Sequence, residues 1–74
     1  MAIIDAVATG ANIRAMVKAK GMKIADMADI FGFNTPQAIF KWFRGDAMPT
    51  IDNMVIMADT FGVKIDDIII TKNV

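Results

Sequence analysis

Gln37, Phe40, Lys41 and Arg44 recur at intervals of three and four residues, so a helix through them lines all four along one face. Their chemistry is that of recognition rather than bond making. A primary amide donates and accepts hydrogen bonds at once, which matches the N6 donor and N7 acceptor on the exposed edge of adenine. An ammonium reaches guanine O6 and N7, or a phosphate oxygen. We therefore expect Gln37 to be the main reader of a base edge, and Lys41, a flexible single charge, to be a less selective one. Phe40 fits either against a thymine methyl or on the rim of a core. Arg44 and Lys23, with the backbone amides around Thr35 and Pro36, suit phosphate oxygens, contacts that orient without specifying. The plain alternative for Gln37 and Lys41 is a solvated helix face; the motif around them favours recognition.

That motif occupies residues 22–49. Ile24, Met27, Ala28 and Phe31 recur at helical spacing and predict a helix with one inward stripe, in which Ala28 is small enough to admit a neighbour. Gly32 ends it, and Phe33 beyond can fold back onto its last turn. Thr35 is expected to cap a second helix with its hydroxyl, and Pro36 to sit at its first position, where no amide donor is needed. Ile39, Trp42 and Phe43 make the inner stripe of this second helix, and Gly45 stops it. Two short helices joined by a tight turn, the second displaying polar and cationic side chains, are how a protein presents a helix to a groove of duplex DNA.

Composition narrows the alternatives. A chain of 74 residues with 55% hydrophobic content supports one small domain, here 1–74 with the motif at about 23–45, and no catalytic cleft of ordinary size. It has no Cys and no His, hence no disulfide framework, thiolate chemistry or imidazole base. No glycine-rich phosphate loop, metal cluster or nucleophile–base pair is present. We expect no enzyme, no cofactor, no metal and no small-molecule ligand. The first residues lack the pattern of a secretory signal and no run is long enough to span a membrane, so a cytoplasmic protein is expected. Net charge is zero, but unevenly distributed. Between residues 14 and 44 six cations (Arg14, Lys18, Lys20, Lys23, Lys41, Arg44) face Asp26 and Asp29, a net of +4. Residues 45–74 carry −3. A basic half and an acidic half fit a protein that meets phosphates with one face, although chance clustering on solvated helices gives the same pattern.

Three further helices are expected. Thr9 caps the first, which runs to about Lys20 with Ile13, Met16 and Val17 inward and Gly21 as its stop. Thr50 caps a fourth, with Ile51, Met54, Val55, Ala58 and Phe61 inward and Gly62 as its stop; Lys64 or Ile65 opens a short fifth, whose Asp66 and Asp67 suit the positive helix start. Ile68 is expected to cover the core, whereas for Ile3 and Ile4 core and dimer contact stay equally open. The echo between residues 27–33 and 57–63, both ending in Phe-Gly, reads as one helix-ending device used twice. Arg44-Gly45-Asp46 spells an adhesive tripeptide, but Gly45 is already explained as a helix stop.

The joint spacing of Met27-Ala28, Phe31-Gly32, Ile39, Trp42, Arg44-Gly45, Pro49, Asn53, Met57-Ala58, Phe61-Gly62-Val63 and Asp66-Asp67-Ile68 resembles the xenobiotic-response-element (XRE) family of helix-turn-helix regulators, the group of phage Cro and lambda-repressor-like domains. The resemblance runs from about Ala11 to Ile69. It implies an all-α, compact bundle of four or five helices, with the helix from Pro36 to Arg44 lying in the major groove. It further implies sequence-specific binding of double-stranded DNA, transcriptional regulation of repressor-like type, and a homodimer. The expected DNA-binding set is Lys23, Thr35, Pro36, Gln37, Phe40, Lys41 and Arg44. Three positions depart from the family pattern: Ile24 replaces a phosphate-contacting Gln, Phe43 replaces a Glu, and the connection from Gly32 to Thr35 is one residue longer than in the phage repressors. The second reading is a protein-interaction module on the same scaffold, such as an antitoxin or regulator subunit, with weak or lost DNA binding. The chain also lacks Leu, Glu, Ser and Tyr, a restricted alphabet that raises an engineered version of a natural regulator as one origin and biased natural usage as the other.

Overall fold

Gly21, Gly32, Gly45 and Gly62 all take positive φ, between 64° and 78°, and at each the chain leaves a helix in the same way. The amide after the glycine reaches back to the carbonyl five residues earlier: Met22 to Val17, Phe33 to Ala28, Asp46 to Lys41 and Val63 to Ala58, at 2.9–3.1 Å. Orphan carbonyls of the last turn are thereby satisfied. The computed structural model describes residues 1–74. The four helices so ended are α1 (Ala6–Ala19), α2 (Ile24–Phe31), α3 (Gln37–Arg44) and α4 (Ile51–Phe61), followed by a single turn, α5 (Ile65–Ile68). The echoed segments at Gly32 and Gly62 are indeed one device used twice.

Helix starts follow the expected chemistry in part. Thr50 Oγ1 accepts the Asn53 amide at 3.2 Å and caps α4. Asp26 and Asp67 reach back to the amides of Lys23 and Lys64, at 2.9 and 3.0 Å, and satisfy donors at the starts of α2 and α5. Thr9 does not cap α1. The helix begins a turn earlier, and Asp5 caps it by accepting the Ala8 amide at 3.0 Å. Thr9 is instead fully buried; its hydroxyl accepts the Ile70 amide at 2.9 Å and donates to the Ile70 carbonyl at 3.3 Å.

The fold is not strictly all-α. Ala2–Ile4 (β1) and Thr71–Asn73 (β2) pair antiparallel, with Ala2 opposite Asn73, Ile3 opposite Lys72 and Ile4 opposite Thr71. This ribbon extends from the Thr9–Ile70 tie, and both its strands are exposed. Ile3 and Ile4 therefore do not cover the core.

Eleven buried apolar residues form that core: Ile13 and Val17 of α1, Met27 and Ala28 of α2, Ile39 and Trp42 of α3, Met54, Met57, Ala58 and Phe61 of α4, and Ile68 of α5. The inward stripe of α4 differs from expectation. Met57 is fully buried, whereas Ile51 and Val55 are 72% and 54% exposed. Positions 54, 57, 58 and 61 complete an i, i+3, i+4, i+7 stripe, and Val55 stands about 100° around the helix from Met54.

Candidate nucleic-acid interface

The backbone sets the site through an unusually close approach. Gly10, buried in the second turn of α1, lies against the Trp42 and Phe43 carbonyls at the end of α3. Gly45 in turn lies against the backbone of Ala6 and Val7. Glycines on both sides of the junction press the last turn of α3 onto the first turns of α1. On the other flank, Trp42 meets the edges of Phe31 and Phe33, at ring-centroid distances of 5.2 and 5.7 Å, and Phe31 stacks on Phe33 at 5.6 Å. The turn between α2 and α3 is thus packed by aromatic rings, which set the inner face of α3 against α2.

Its outer face carries the expected residues. Thr35, Pro36, Gln37, Phe40, Lys41 and Arg44 together line one open concavity of about 370 Å³. All six are exposed. Lys23, the seventh, is exposed at the start of α2 and does not line it. Thr35 and Pro36 are present without the roles expected of them. The helix begins at Gln37, Pro36 precedes its first turn with φ −82° and ψ 6°, and no side chain caps it. The Thr35 hydroxyl is consequently not a cap, and the first-turn amides of α3 stay available as donors. Phe40 is 42% exposed, its ring edge-on to Phe43 at 6.3 Å. Arg44 Nε donates to Asp46 Oδ2 at 2.8 Å, so its charge is already paired, across an exposed contact.

Two cations outside the expected set adjoin this face. Arg14 of α1 shares a depression of about 360 Å³ with Ile24, Phe40, Phe43 and Arg44. Arg14 and Lys18, one turn apart, line the next hollow beside Phe43. Neither forms an ion pair. The basic surface therefore continues from α3 onto α1, around Phe40 and Phe43. The signal in the sequence was the i, i+4 pair on α1 together with Phe43, which stands where the family pattern has a carboxylate.

Comparison with known proteins agrees with this fold. A helix-turn-helix family model matches residues 13–68. The restriction-modification controller protein C.AhdI from Aeromonas hydrophila superposes with a TM-score of 0.75 at 20% identity, covering 86% of this chain and 96% of that one. The DNA-binding domain of BldD superposes with a TM-score of 0.71 at 21% identity, covering 88% and 93%. No curated protein sequence matches significantly. No helix is long and apolar enough to cross a membrane.

Proposed function

Given that this chain belongs to the helix-turn-helix family of XRE regulators, we propose that it binds duplex DNA sequence-specifically through the outer face of α3 and regulates transcription as a homodimer on a two-fold symmetric site. The observation that carries this reading is the convergence of Gln37, Phe40, Lys41 and Arg44 on one open concavity beside uncapped α3 amides. Gln37 reads a base edge, Lys41 a guanine or a phosphate, and Phe40 a thymine methyl. Arg44, Arg14, Lys18 and Lys23 hold the backbone on either side, with Thr35 and Pro36 at the helix start. A single eight-residue recognition helix covers few base pairs, which is the physical reason for two half-sites. Regulation is expected to be repressor-like, by occupation of the site.

Selection of bound sequences from a random duplex pool, followed by titration against salt, tests the reading. Gln37→Ala is expected to relax preference at one base position, by about 1–3 kcal/mol of discrimination. Arg14→Ala should weaken binding to all sequences alike and lower the salt slope by about one unit. A pool with no enriched sequence, unchanged by either substitution, refutes the proposal and leaves a protein-interaction module.

A further inference from the structure

We propose that β1 is the edge through which two copies of this chain pair, antiparallel about a two-fold axis through Ile3, extending the two-stranded ribbon to four strands. The inference rests on the homodimer reading above and names its interface. Within the ribbon, the Asp5 amide donates to the Ile70 carbonyl at 2.8 Å, and Met1 and Val74 exchange bonds of 2.9 and 3.0 Å. Bonded and non-bonded pairs alternate along an antiparallel ladder, so Ile3 also turns its main-chain groups toward Lys72. Ala2 and Ile4 consequently direct their amides and carbonyls away from β2, and nothing in the chain receives them.

The two edges of the ribbon are unequal. β2 carries Lys72 between Thr71 and Asn73, the kind of charged edge that discourages pairing. β1 is Ala-Ile-Ile, with no charge, proline or bulge. Its free groups are self-complementary. With Ile3 on the axis, Ala2 faces Ile4 of the second copy, and each such pair exchanges two bonds, four in all. The two Ile3 side chains then meet on one face, as cross-strand neighbours do. Zero net charge leaves no long-range repulsion between copies. Three-residue strands bury less than a standard interface of about 1,200–2,000 Å², so association is weak in solution and is strengthened when two half-sites hold both copies.

Sedimentation equilibrium of the full chain without DNA, from about 1 µM to 1 mM, tests this. The apparent mass should rise from one chain to two. Ile4→Pro removes only an outward amide, which an edge strand tolerates, and should hold the mass at one chain with helical circular dichroism unchanged. Ile3→Lys, which sets two like charges on the axis, should do the same and serves if the proline variant unfolds. Val55→Lys, on the exposed face of α4, should still dimerise. A wild-type mass of one chain at 1 mM, variants that dimerise like wild type, or dissociation by Val55→Lys instead would each overturn the proposal. A chain that dimerises regardless of the β1 variants loses this interface alone; one that enriches a DNA sequence yet stays monomeric loses the homodimer with it and keeps the DNA reading; a dimer through β1 that enriches none loses the DNA reading alone.

Discussion

Gly10→Ala should destabilise the protein although intrinsic helix propensity predicts the reverse. Gly10 lies in the interior of α1, where alanine is better by about 1 kcal/mol. A Cβ at this position, however, would sit 2.8 Å from the Phe43 carbonyl oxygen and closer still to that of Trp42. Ordinary carbon–oxygen contacts between packed backbones begin at about 3.3 Å. Both obstructing atoms belong to the last turn of α3, so neither can swing aside as a side-chain tip would. Relief requires α1 and α3 to separate by more than about 1 Å at their closest point, where the Trp42 carbonyl sets the limit, which costs at the upper end of the roughly 1–3 kcal/mol typical of overpacked cores. Subtracting the propensity gain leaves a net loss of about 2 kcal/mol. For 74 residues, total stability is roughly 4–11 kcal/mol. The change should lower Tm by about 8–16 °C, and urea unfolding should show a lower midpoint at unchanged slope. An alanine variant as stable as the parent, or more stable, would refute the backbone contact between the two helices.

Thr9→Val keeps the buried shape but strips both hydrogen bonds from Ile70; a loss of about 1–2 kcal/mol is expected, with faster amide exchange along β2 than along α1. Asp46→Asn releases Arg44 from its exposed ion pair, and should tighten binding to every DNA sequence by roughly two- to fivefold at low salt, an advantage that vanishes as salt is raised.

What the sequence makes legible here is local. The stops at Gly21, Gly32, Gly45 and Gly62, the Thr50 cap and the outward face of α3 depend on residues within a turn of one another, and each lies where its spacing predicts. Thr9 misleads for the same reason: its hydroxyl suits a helix cap, but its partner Ile70 is 61 residues away. The pairing of β1 with β2 is equally remote, and three residues are too few to display an alternating pattern. Arg14 and Lys18 join the basic surface only because α1 meets the end of α3 at Gly10, a distance that charge counting does not contain. At Thr35 the error is one residue of helix boundary, enough to move the hydroxyl from a capping role to the rim of the concavity.

Trp42 is the only tryptophan in a chain without tyrosine, 4% exposed and enclosed edge-on by Phe31 and Phe33. The protein thus carries a single native tryptophan fluorophore, packed where its two motif helices meet. Its burial predicts the blue-shifted emission of an apolar site, and a shift to the red wherever water reaches the ring. Light from this one ring therefore follows the posture of α3 without any attached dye, and separates a chain that docks as a rigid body from one that rearranges on arrival.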